Sequence, residues 1–100
     1  MHTVTLKLIT IVAEAVLKEP LIRALRDAGA TGYTLTEVRG EGSRGRRTGE
    51  LPGDNVRLEA LVGPTSVEVV LRMLEERYFP NYAVVAWVAD VGVVRGEKYA

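Results

Sequence analysis

Strand-like patterns recur four times along the chain. Apolar and polar residues, many of them β-branched, alternate over 3–12, 32–38 and 55–62, which predicts half-buried strands. The stretch 82–94 is apolar at nearly every position, a pattern typical of a strand buried on both faces. We therefore expect four strands, of which the last needs cover on two sides.

Two helical segments separate these strands. Apolar residues spaced three and four apart follow the first strand and the third strand. The first helix is expected to begin near Lys18 and to stop at Gly29, since glycine is a common residue at helix C-termini. The second is expected to begin at a capping box of Thr65 and Glu68 and to end at Pro80.

The order of elements predicts the fold class. Strand–helix–strand occurs twice in 100 residues, which indicates an α+β, ferredoxin-like split βαβ (βαββαβ) arrangement in a single domain, 1–100. Both helices would cover one face of an antiparallel sheet. Because the last strand is apolar on both faces, we expect another subunit to cover the second face.

A polar stretch, RGEGSRGRRTGELPGD at 39–54, interrupts this pattern and is called the arginine–glycine loop below. It holds five glycines and four arginines in sixteen residues. Glycines allow close approach of the backbone to a ligand, and arginine side chains match phosphate oxygens. An anion or phosphate grip is therefore predicted from Gly40, Gly42, Ser43, Arg44 and Arg47. A flexible surface loop is the alternative.

Composition excludes several classes of function. The formal net charge is zero, which argues against general nucleic-acid binding, and the absence of cysteine excludes disulfides and thiolate chemistry. The longest apolar run is too short to span a bilayer, and no signal peptide is apparent. We expect a cytoplasmic protein with no direct membrane insertion.

Catalytic candidates are few. His2 is the only histidine and lies at the terminus, so neither serine has an evident activating base. Glu37 and Glu59 could form a carboxylate pair, although pairing of a glutamate with Arg57 or with a ligand amino group is favoured. No spacing suggests metal ligation. We predict no catalytic and no metal-binding residues.

The run GATGYTLTEVRGEGSRG at 29–45 resembles the PII signal-transduction family, which carries a G-x-T-G-[MY]-T-V-[TS]-E-V-[KR]-G-x-G pattern at this place. The resemblance extends over essentially the whole chain. GEGSRGRR and YFPNYAVVAWV are most similar to the PII-like branch that is linked to bicarbonate uptake and carboxysomes.

The resemblance implies a non-enzymatic homotrimer that binds adenine nucleotides between subunits. AMP and ADP are the expected ligands, with ATP and cyclic AMP as further candidates and bicarbonate as a co-ligand. The arginine–glycine loop would be the T-loop, which reports the ligand to a bicarbonate transporter or a carboxysome-associated protein. The alternatives are a slow nucleotide hydrolase using Glu37 or Glu59, and a structural trimer without ligand.

The family's binding residues carry over to nine positions in three groups. The base is expected to meet Gly32, Thr34, Glu59 and Leu61. The phosphates are expected to meet the loop residues Gly42, Ser43, Arg44 and Arg47, and also Arg95 near the end of the chain. Departures from other branches of the family imply no 2-oxoglutarate sensing and no uridylylation of a loop tyrosine.

Overall fold

The computed structural model describes residues 2–38 and 54–98, and these form four strands and two α-helices. In chain order the elements are β1 (Val4–Glu14), α1 (Lys18–Asp27), β2 (Thr34–Val38), β3 (Asn55–Val62), α2 (Pro64–Arg77) and β4 (Val84–Val93). Short 3₁₀ turns precede α1 (Ala15–Leu17) and follow β4 (Gly96–Lys98).

The strands form one antiparallel sheet in the order β2-β3-β1-β4. β1 and β2 run in the same direction with β3 inserted between them, which is the split βαβ arrangement. The predicted ferredoxin-like fold is confirmed.

The core lies between the two helices and one face of the sheet. Alternate residues of β1 and β3, such as Ile9, Ile11 and Leu58, pack with Leu25 and Leu74 of the helices and are almost completely buried. Side chains of successive strand residues point to opposite faces. The residues between them therefore point away from the helices.

The helix ends follow the sequence signals only in part. α1 begins at Lys18 as predicted, and Gly29 adopts a left-handed φ of 107° just beyond its end. The capping box is wrong: α2 begins at Pro64 after an extended Gly63, with no side-chain capping hydrogen bond among the described residues. Proline at the first helical position has a suitable φ and lacks the N–H that a cap would satisfy.

The last strand differs from its prediction. It begins at Val84 instead of residue 82, because the N–H of Tyr82 donates to the carbonyl of Tyr78 in the turn after α2. β4 is an edge strand and, within this chain, is not buried on both faces; Val85 is 53% and Trp87 is 45% exposed. Neither helix of the described residues is long and apolar enough to cross a membrane.

Candidate functional site

The face of the sheet that points away from both helices is called the open face. A single row of side chains crosses all four strands on it: Thr34 pairs with Glu59, Glu59 with Thr10, and Thr10 with Trp87. Directly opposed residues have Cβ atoms about 4.5–5.5 Å apart. The row therefore brings a hydroxyl, a carboxylate and an aromatic ring onto one surface.

Thr34 and Glu59, which the family resemblance assigns to the base, are direct cross-strand partners. Leu61 lies two residues beyond Glu59 and pairs with Leu8 of β1. Gly32 lies two residues before Thr34, so the antiparallel register brings it to the same end of the β2–β3 pair as Leu61. This group combines an acceptor and a hydroxyl with an aliphatic surface, which suits a flat ring with polar edges.

Glu59 is ion-paired with Arg57 on the same strand. The Arg57 Nη2 atom lies 3.4 Å from Glu59 Oε2, and the Arg57 Cζ atom lies 5.9 Å from the centre of the Trp87 ring. The pairing of Glu59 with Arg57 agrees with the favoured interpretation of the sequence. The sequence did not indicate the contact of Arg57 with Trp87. This contact depends on the strand order of the sheet, in which β3 and β4 lie on either side of β1.

Glu37 does not join Glu59. It pairs with the buried Val56 and so belongs to the face that the helices cover, whereas Glu59 lies on the open face. The carboxylate pair, which the sequence left as a less favoured possibility, does not form, because the two side chains point to opposite faces of the sheet. Within residues 2–38 and 54–98, no group of three or more His, Asp or Glu side chains could hold a metal ion.

Arg95 lies far from the Thr34–Glu59 pair within one chain. It follows β4 at the opposite edge of the sheet, and Val93 lies six residues, or about 20 Å, beyond Trp87 along the strand. Its backbone is left-handed, with a φ of 63°. The structure therefore does not bring Arg95 to the other predicted site residues of the same chain.

The predicted phosphate grip is part of the arginine–glycine loop, and Gly42, Ser43, Arg44 and Arg47 lie outside the described residues. The strands that flank the loop are described, and Val38 pairs with Asn55 where it leaves the sheet. This pair lies four residues, or about 13 Å, from the Thr34–Glu59 pair. This pair and Arg95 lie in opposite directions from the Thr34–Glu59 pair, so the strand ends that flank the loop lie at the end of the sheet opposite to Arg95.

The sheet order and the helices on one face define a ferredoxin-like α+β protein whose other face carries the candidate site. Residues 6–98 match the family Nitrogen regulatory protein P-II, and the chain belongs to that family.

Solved structures support the same assignment. The chain is similar to a structure assigned to a PII-like signalling protein of Thermus thermophilus, with 51% sequence identity over 100% of both chains and a TM-score of 0.86. It is also similar to CPII of Thiomonas intermedia. A structure of CPII bound to ADP, AMP and acetate shares 27% identity over 99% of this chain and 98% of that chain, with a TM-score of 0.85. Another, bound to ADP and bicarbonate, shares 29% identity over 97% and 96%, with a TM-score of 0.83. The resemblance seen in the sequence is thus confirmed.

Proposed function

We propose that this chain is a non-enzymatic PII-like sensor that binds AMP or ADP between the subunits of a homotrimer. One observation carries the proposal: Thr34 and Glu59 are paired on the open face beside Leu61, at the positions that the family resemblance assigns to the base. The binding of ADP and AMP by CPII supports this choice of ligand. ATP and cyclic AMP are further candidates.

The proposed trimer rests on exposed apolar surface. Val85 and Trp87 are about half exposed on the open face, and a second copy of the chain would remove them from water. Burial of apolar surface contributes about 25 cal/mol per Å². Sedimentation of the wild type should give three chains per particle, and Val85→Asp should dissociate it. A monomeric wild type at micromolar concentration would contradict the trimer.

Ligand phosphate is proposed to pair with the arginine–glycine loop, acting as the T-loop, and with Arg95. An anion held by Gly42, Ser43, Arg44 and Arg47 would favour one arrangement of the loop over others, and a partner protein would distinguish these arrangements. Bicarbonate is the proposed co-ligand, supported by its presence with ADP in CPII. A bicarbonate transporter or a carboxysome-associated protein is the proposed partner.

Calorimetric titration of AMP, ADP, ATP and cyclic AMP, each with and without bicarbonate, tests the function. We expect saturable binding near one site per chain. Glu59→Gln should weaken AMP binding about tenfold or more, since a hydrogen bond to a charged group contributes about 1.5–3 kcal/mol. Glu37→Gln, on the other face of the sheet, is the matched control and should leave the affinity unchanged.

Two further results would contradict the proposal. Wild-type protein that binds none of the four nucleotides would refute it outright. Arg44→Ala should weaken ADP more than adenosine, and equal effects on both would refute the phosphate role of the loop. Release of product from ATP that Glu59→Gln abolishes would instead support the hydrolase alternative.

A further inference from the structure

The side chain of Thr10 is completely buried, although it belongs to the open face and both helices lie on the other side of the sheet. Its cross-strand neighbours are Glu59 on β3 and Trp87 on β4. Arg57 contacts both of these residues. Because β1 lies between β3 and β4, the guanidinium that joins them lies over β1. Glu59, Arg57 and Trp87 therefore form a strap across the middle of the open face.

The strap restrains Arg57 from two sides. The guanidinium carbon lies within 6 Å of the Trp87 ring centre, which is the range of a cation–π contact. The Nε atom of Arg57 is buried and, like Thr10 Oγ1, has no hydrogen-bond partner among the described residues. The Arg57 side chain as a whole is 43% exposed, so the contact with Trp87 and the ion pair, rather than burial, direct its Nη2 atom to Glu59.

Among the described residues, the ion pair engages one carboxylate oxygen of Glu59, Oε2, at 3.4 Å from Arg57 Nη2. A carboxylate has two oxygens that accept hydrogen bonds and, when ionised, no proton to donate. With Oε2 directed to Arg57, Oε1 is left to accept from a ligand on the Thr34 side of the row. A purine with an exocyclic amino group supplies such a donor, whereas a 6-oxo purine presents an oxygen.

We propose that Arg57, held against Trp87, is a positioning residue that orients the Glu59 carboxylate and so sets a preference for 6-amino over 6-oxo purine nucleotides. This inference rests on the proposed function, because it takes Glu59 as a contact of the base. Arg57 itself acts through Glu59 and need not touch the nucleotide.

The experiment measures the ratio of the dissociation constants of IMP and AMP by calorimetry. Arg57→Met keeps most of the aliphatic length of the side chain but removes the charge, so Glu59 is no longer oriented. We expect AMP binding to weaken about tenfold and the ratio to fall by a similar factor, as for loss of one charge-oriented hydrogen bond. A merely structural role would weaken both nucleotides equally and leave the ratio unchanged.

Three further variants sharpen the comparison. Arg57→Lys retains a charge next to Glu59, so its ratio should lie close to the wild-type value. Trp87→Leu should lower the ratio below the wild-type value, as Arg57→Met does. Lys7→Met is the matched control: it removes a different ion pair, the 2.6 Å contact of Lys7 Nζ on β1 with Asp90 Oδ1 on β4, and should leave the ratio unchanged.

The outcomes separate this inference from the function on which it rests. Failure of the wild type to bind AMP refutes both. If the wild type binds AMP but the ratio in Arg57→Met stays within twofold of the wild-type value, the inference alone is refuted. Should Arg57→Met fail to fold, an unchanged ratio in Trp87→Leu has the same consequence.

Discussion

Replacement of Gly96 by alanine should destabilise the protein, because the turn after β4 packs its backbone against β1. A Cβ atom at this position would lie 2.9 Å from the Cβ of Val4 and 3.2 Å from the Cβ of Val93. Both neighbours are β-carbons, which cannot rotate away from the added methyl group. Either the strands or the turn must therefore shift.

The expected cost follows from this geometry. Overpacking of one methyl group typically costs about 1–3 kcal/mol. Replacing glycine by alanine lowers the conformational entropy of the unfolded chain, and this effect offsets about 0.4–1 kcal/mol of the overpacking cost. We therefore expect Gly96→Ala to lower the free energy of unfolding by about 1–2 kcal/mol.

Urea denaturation at fixed protein concentration, followed by circular dichroism, measures this change. The midpoint should fall while the slope of free energy against urea stays constant. Gly63→Ala is the matched control, because a Cβ at Gly63 would have no described atom within 4 Å, and its φ is −81°. Equal stability of the two variants would refute the packing of the turn. A slope that changes in Gly96→Ala alone would refute the assumption that only the native state is affected.

Two more substitutions test the helices. Gly29→Ala should lower the free energy of unfolding by about 1–2 kcal/mol, since the backbone φ of 107° disfavours a side chain and the new Cβ would lie 2.9 Å from Ser66 Oγ. A thermal melt close to that of the wild type would contradict the left-handed conformation at the end of α1. Leu74→Ala should lower the free energy of unfolding by about 2–5 kcal/mol, because Leu74 is fully buried between α2 and the sheet. Urea denaturation measures it, and a loss below about 1 kcal/mol would contradict that burial.

The sequence was sufficient to predict the elements whose bounds depend on residues within or next to the element itself. β3 has the predicted bounds, Asn55–Val62, because its alternation of buried and half-buried residues is unbroken. α1 begins at the predicted Lys18, where the apolar period and Pro20 agree. The split βαβ fold class was predicted from the repeated strand–helix–strand pattern, since handedness and short connections leave few other arrangements.

The errors arose where two local signals competed or where contacts were distant in sequence. Thr65 and Glu68 fit a capping box, but Pro64 starts the helix one residue earlier and leaves Thr65 inside the first turn. Glu37 and Glu59 point to opposite faces of the sheet because of the register of β2 against β3, and the sequence of one strand alone does not reveal this register. The contact of Arg57 with Trp87 depends on the order of three strands, so Trp87 could be interpreted only as a core or interface aromatic.

The arrangement of the site residues constrains how a ligand could use them. Thr34 and Glu59 lie near one edge of the sheet, Arg95 follows the strand at the other edge, and the arginine–glycine loop leaves from the end of the sheet opposite to Arg95. A nucleotide of ordinary size cannot bridge about 20 Å along the strands and also cross the sheet from the Thr34–Glu59 pair to Arg95. If one ligand contacts both of these groups, at least two chains must supply them. Such a ligand binds only the assembled state and stabilises it by mass action. Nucleotide binding and assembly would then be one coupled equilibrium.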